Sequence, residues 1–144
     1  MRTTVHVLYL EKSSSDAELV KAALSKNGLT CELLQVQVRD DFIAAAQQGG
    51  WDVIISDCAL PGLDGRSALA IAREHCPEIP FILFSHGIGE EAAIEYLKAG
   101  ATEYVLKDHP ARLLLAVQRA LREAEAQKER KQAEKQNAKL EEQL

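Results

Sequence analysis

Trp51-Asp52-Val53-Ile54-Ile55-Ser56-Asp57-Cys58-Ala59-Leu60-Pro61-Gly62-Leu63-Asp64-Gly65 decides how this chain folds. Val53-Ile54-Ile55-Ser56 is a continuous apolar run rich in β-branched residues, the pattern of a strand covered on both faces. It stops at an acid, Asp57. After Asp64-Gly65 the period lengthens, and residues 66–75 predict a helix with Leu69, Ala70 and Ile71 facing inward. The same strand-then-helix unit recurs on both sides. Val5-His6-Val7-Leu8-Tyr9-Leu10 precedes a helix over 16–27, with Ser15 and Glu18 as its capping box and Asn27-Gly28 as its stop. Cys31-Glu32-Leu33-Leu34-Gln35-Val36 alternates, as an edge strand does, before an Ala-rich helix over 41–48. Phe81-Ile82-Leu83-Phe84 leads to a helix over 90–99 that opens on two acids and closes at Gly100. Tyr104-Val105-Leu106 leads to a last helix starting near Pro110, with Leu113, Val117, Ala120 or Leu121, and Ala124 as its inward stripe.

Five strands alternating with five helices predict an α/β fold, a doubly wound (βα)5 parallel sheet. The flavodoxin-like strand order 2-1-3-4-5 puts the topological switch between strands 1 and 3, so a ligand belongs at their carboxyl ends. What the sequence delivers there is specific. Strand 1 runs into Glu11-Lys12, strand 3 into Asp57, strand 4 into Ser85 and strand 5 into Lys107. Two carboxylates, a hydroxyl and an ammonium thus meet at one edge of the sheet.

The rest of the composition narrows the classes. The 144 residues are 47% hydrophobic and 27% charged, which suits one soluble globular domain. A net charge of −5 does not suit phosphate neutralisation, so nucleic-acid binding by this domain is not expected. No apolar run is long enough to span a membrane, and no signal-peptide core follows Met1. Cys31, Cys58 and Cys76 are odd in number and widely spaced, which reads as reduced cytosolic thiols. His6, His75, His86 and His109 show no ligand spacing, although His86 follows Ser85 at the mouth of the predicted site. From Arg122 to Leu144, 12 of 23 residues are charged, six of each sign, with no Gly or Pro. We therefore divide the chain into a domain over 1–121 and a charged helical extension over 122–144, leading toward an output module of a longer protein. Ala126, Ala133, Leu140 and Leu144 give that extension a seam broken by Arg130 and Asn137, enough for weak pairing with a second copy.

These stretches together resemble the receiver domains of two-component response regulators. The resemblance is carried by Leu8-Tyr9-Leu10-Glu11, the 51–65 stretch, Pro80-Phe81-Ile82-Leu83-Phe84-Ser85, and Lys98-Ala99-Gly100-Ala101-Thr102-Glu103-Tyr104-Val105-Leu106-Lys107. Gly87-Ile88-Gly89-Glu90-Glu91-Ala92 and Lys107-Asp108 are similar to receivers fused to sensor or output modules in larger bacterial signalling proteins. The resemblance implies that Asp57 accepts a phosphoryl group from a histidine kinase or phosphotransfer protein in the cytoplasm. It implies that Glu11, Asp57 and the Ala59 backbone carbonyl hold Mg²⁺, that Ser85 and Lys107 bind the phosphoryl oxygens, and that Ser85 and Tyr104 form the switch. It implies a phosphoacceptor rather than an enzyme in its own right. The chemistry agrees, because transfer to a carboxylate is largely positioning and charge neutralisation.

Two positions depart from the family pattern. Lys12 stands where a second metal-binding acid is usual, and Asp108 stands where many receivers have proline. Lys12 is expected to project toward Asp57, flank it together with Lys107, and weaken the metal site. That supports an alternative, a pseudo-receiver that binds partners with impaired Mg²⁺-dependent phosphorylation. A flavodoxin-like FMN binder is a third reading, with Ser13-Ser14-Ser15 as the phosphate cradle, but the stretch lacks glycine.

Overall fold

The computed structural model describes residues 4–25, 30–60 and 62–143. Its strands are β1 (Thr4–Leu10), β2 (Thr30–Val36), β3 (Val53–Ser56), β4 (Ala59–Leu60), β5 (Leu63–Asp64), β6 (Phe81–Ser85) and β7 (Glu103–Leu106). The helices are α1 (Ser14–Leu24), α2 (Arg39–Gln48), α3 (Gly65–His75), α4 (Glu90–Lys98) and α5 (Ala111–Glu142). Five strands form one sheet in the order β2-β1-β3-β6-β7, and all its pairings are parallel. With the β4–β5 hairpin set aside, this is the expected 2-1-3-4-5 order.

The double winding follows from side-chain alternation. Val5, Val7 and Tyr9 of β1 face one way, joined by Val53, Ile55, Ile82, Phe84 and Val105, and are covered by α1 and α5. Leu8 and Leu10 face the other way with Ile54, Phe81 and Leu83, and are covered by α2 and α3. Every residue of β3 and β6 is buried, which is why both read as unbroken apolar runs. Each of their Val, Ile, Leu and Phe side chains, fully buried, contributes about 1.5–3 kcal/mol. β2 alternates because it lies at the sheet edge.

Several local expectations need correction. The cap of α1 is Ser13, not Ser15: the Ser13 hydroxyl accepts from the Asp16 N–H at 3.2 Å. The expected stop at Asn27-Gly28 lies outside the described residues. In α3, Leu69 and Ile71 are buried but Ala70 is exposed, since a 3.6-residue period cannot bury three in a row on a flank. Pro110 caps α5 rather than starting it. The β4–β5 hairpin was not expected from the pattern. It is a two-residue pairing around a turn in which Gly62 takes φ +73°, a conformation that favours glycine. The hairpin returns Asp64 to cap α3, its carboxylate accepting from the Ser67 N–H at 2.8 Å. α5 runs without a break through residue 122, and burial along it ends at the half-buried Ala124.

Candidate functional site

The sheet itself aims the four predicted side chains. Past the last rung of β1, the Glu11 N–H donates to the Val36 carbonyl at 3.1 Å. Past β3, the Asp57 N–H donates to the Leu10 carbonyl at 3.0 Å, and past β7 the Lys107 N–H donates to the Ser85 carbonyl at 2.9 Å. Glu11, Asp57, Ser85 and Lys107 are therefore held by strand geometry at the carboxyl edge, as the switch-point rule requires.

Their side chains make one network. The Lys107 ammonium donates to Glu11 Oε2 at 2.6 Å, to Asp16 Oδ2 at 2.8 Å and to Asp57 Oδ2 at 3.3 Å. The Ser85 hydroxyl donates to Asp57 Oδ1 at 2.8 Å, and the Cys58 N–H donates to the same oxygen at 2.6 Å. Glu11 is only 2% exposed, and Lys107 6%. Glu11 Oε1 is satisfied by the N–H groups of Lys12 and Ser13, at 3.0 and 3.1 Å. Buried charges persist only when paired and hydrogen-bonded in this way.

Protonation follows from these contacts. Burial pushes the Asp57 carboxyl up, but the Ser85 hydroxyl, the Lys107 ammonium, Glu11 and the Cys58 N–H together outweigh it, and Asp57 titrates below its ordinary value. Burial likewise works against the Lys107 ammonium, yet its bonds to Asp16 and Glu11 and the field of Asp57 hold its pKa above the ordinary value. Burial raises the Cys58 thiol, so that neighbour of Asp57 stays protonated at neutral pH.

Glu11, Asp57 and the Ala59 carbonyl offer hard oxygen donors, the kind Mg²⁺ takes. Ala59 sits in β4, two residues beyond Asp57. Among the described residues no three acidic, imidazole or thiol groups already stand at metal-gripping distances; the acids are spaced around an ammonium. The Tyr9 hydroxyl, wholly buried and without a hydrogen-bond partner, lies in the field of Glu11, Asp16 and Asp57. A buried hydroxyl without a partner in the field of three acids suits a hydrated cation.

Lys12 is the main correction. It does not flank Asp57: the residue is exposed, and among the described residues its ammonium forms no ion pair. The physical reason is hydration, since a flexible ammonium keeps its water while Lys107 already occupies the acidic centre. Tyr104 is half-buried, and its hydroxyl donates to the His86 carbonyl at 3.1 Å and accepts from the Ile88 N–H at 3.2 Å. It thereby ties β7 to the loop that follows Ser85. His86 is exposed, with Nδ1 3.7 Å from Asp108 Oδ1. No cis peptide bond occurs among the described residues.

Two participants escaped the sequence reading. Asp16 reaches the site from the first turn of α1. Gln35 on β2 donates to the carbonyls of Glu11 and Ser13, at 2.6 and 3.3 Å, and pins the β1–α1 loop. Gln35 faces Tyr9 across the β1–β2 ladder, and strand register is the one signal that points to it.

The sequence matches the family described as the response regulator receiver domain over residues 7–118. The chain belongs to that family. It is 28% identical over 130 residues to the DNA-binding transcriptional regulator NtrC of Proteus hauseri, covering 90% of this chain and 27% of that protein. It is 30% identical over 110 residues to the transcription factor SKN7 of Saccharomyces cerevisiae, covering 74% of this chain and 17% of that protein. The crystal structure of NtrX from Brucella abortus superposes with a TM-score of 0.81 at 26% identity, over 92% of this chain and 30% of that one. The chain spans less than a third of each of these proteins. A receiver domain is a part of two-component signalling, and this one has no helix, among the described residues, long and apolar enough to cross a membrane.

Proposed function

We propose that this receiver is a phosphoacceptor in a bacterial phosphorelay, with Asp57 as the accepting residue. The observation that carries the reading is the unequal engagement of the two Asp57 oxygens. Oδ1 is held by two short bonds, from Ser85 and Cys58, while Oδ2 makes the longer contact with the Lys107 ammonium, at 3.3 Å. Oδ2, the less tightly held oxygen, is the one that attacks. The Oδ2–phosphorus bond forms as the phosphorus–nitrogen bond to a donor phosphohistidine breaks, and the departing imidazole takes its proton from solvent. Lys107 neutralises charge on the incoming phosphoryl oxygens, and Ser85 is within a short rotation of donating to one of them. A divalent cation held by Glu11, Asp57 and the Ala59 carbonyl would supply the remaining neutralisation. Once Ser85 turns to the phosphoryl group, the Tyr104 contact with the 86–88 loop becomes the two-state element that reports it.

The upstream partner is a histidine kinase or phosphotransfer protein in the cytoplasm. The downstream partner is an output module beyond α5, with weak self-pairing along the exposed part of that helix. A pseudo-receiver remains the second reading because Lys12 removes one acid from the usual set; its exposure limits the effect to a lost ligand, without a competing ammonium. Acetyl phosphate labelling with Mg²⁺, read by intact mass, separates the two. Phosphoacceptance predicts one phosphoryl group on the natural chain and none on Asp57→Asn. Full labelling of Asp57→Asn rejects the assignment, and an unlabelled natural chain favours the pseudo-receiver.

A further inference from the structure

We propose that Asp16, reaching over from α1, serves as the second acid of the cation site, in the role that Lys12 at the usual position cannot fill. The inference rests on the metal-assisted reading above. At the third position of α1, an acid's ordinary task is to reach back to the N–H of the capping residue. That N–H belongs to Ser13, and it is already taken by Glu11 Oε1 at 3.1 Å. The Asp16 backbone still closes the cap through Ser13 Oγ, which leaves its carboxylate free of the helix end. That carboxylate turns inward and meets the same ammonium as Glu11 and Asp57.

Three carboxylates from three elements thus converge on one cationic centre. The loop that carries Glu11 and leads into the helix of Asp16 is fixed by the Gln35 bonds to Glu11 and Ser13. The Tyr9 hydroxyl is an independent sign of a missing partner. It is wholly buried, has no hydrogen-bond partner among the described residues, and feels the charge of these same three acids. A water retained by a bound Mg²⁺ would satisfy it. Asp16 holds Lys107 at 2.8 Å, and the same carboxylate would help Glu11 hold the cation.

Calorimetric titration with Mg²⁺, repeated with Mn²⁺, tests this on the full chain. Asp16→Asn should weaken affinity by at least about tenfold, the scale seen when a supporting group of a metal site is lost. Glu18→Gln, an exposed acid on the same helix paired to Lys21, should leave affinity unchanged. Lys12→Asp should strengthen it by less than Asp16→Asn weakens it. Circular dichroism confirms that each variant is folded. Unchanged affinity in Asp16→Asn overturns the inference while leaving the metal-assisted reading intact. A natural chain that binds neither ion overturns both.

Discussion

At the scale of the residue, Lys107 carries the largest electrostatic burden. Its ammonium is almost fully buried and is the shared counter-ion of Glu11, Asp16 and Asp57. Lys107→Met keeps much of the stem's volume and leaves three acids facing one another. Removing one partner of a buried ion pair costs about 3–5 kcal/mol; the lower end applies here, because Asp16 and Asp57 keep some contact with water. The loss should depend on pH in a definite direction. Asp57 titrates below its ordinary 3.8, so the stability it contributes is complete above that value and disappears as pH falls through its lowered pKa. Lys107 titrates above its ordinary 10.5, so its contribution is complete below that value and disappears as pH rises through its raised pKa. Urea unfolding should therefore show a gap between natural chain and variant that is widest near neutrality and narrows toward acid and strong alkali. A gap independent of pH would mean that packing, not charge, had been lost.

At the scale of the element, α4 is the helix most loosely tied to the fold, and Gly65 controls its one buried anchor. Tyr96 is the single residue of α4 that is buried, while Ile94 and Leu97 lie exposed. A Cβ on Gly65 would stand 2.7 Å from the Tyr96 hydroxyl and 3.1 Å from its ring. Helix propensity alone says that Gly65→Ala, at the start of α3, gains up to about 1 kcal/mol. The contact reverses that sign, and overpacking should cost about 1–3 kcal/mol. Hydrogen exchange should accelerate in α4 ahead of the sheet, and Tyr96→Phe should recover part of the loss by removing the crowded oxygen. Stabilisation by Gly65→Ala would show that Tyr96 moves aside freely. This anchor was not legible from sequence, whereas the sheet was. Runs such as Val53-Ile54-Ile55-Ser56 mark strands covered on both faces, and the acid, hydroxyl or ammonium after each run marks the site. Asp16 and Gln35 were hidden because a helix turn and an edge strand carry them in, and no pattern of strand ends includes either. Three serines in a row left the α1 cap ambiguous until Glu11 claimed the Ser13 N–H. Two-residue strands such as β4 and β5 are too short to produce a period at all.

At the scale of the molecule, α5 joins two regimes. Leu113, Leu114, Ala116, Val117 and Ala120 are buried against the sheet, whereas residues 125–142 are exposed along every face. At 1.5 Å per residue the exposed part extends the helix by about 27 Å. Among the described residues it is tied to the domain by the exposed Lys131–Glu78 ion pair, of the kind that adds little to stability. A cavity of about 530 Å³ lies between this stretch and the strand-entry loops, with Trp51, Arg73 and Lys128 among its lining. An isolated helix of this length is marginal in water without apolar cover. The cover that its sequence offers is Ala126, Ala133 and Leu140 on one seam, interrupted by Arg130 and Asn137. Two small alanines and two polar seam residues favour weak association over a stable coiled coil. The full chain should therefore show an average mass in sedimentation equilibrium that rises with concentration, accompanied by rising helical circular dichroism. A chain ending at Ala124 should remain monomeric, unfold at the same midpoint, and leave Trp51 more open to an aqueous quencher. A full chain that stays monomeric, with helicity independent of concentration, would refute pairing along this seam.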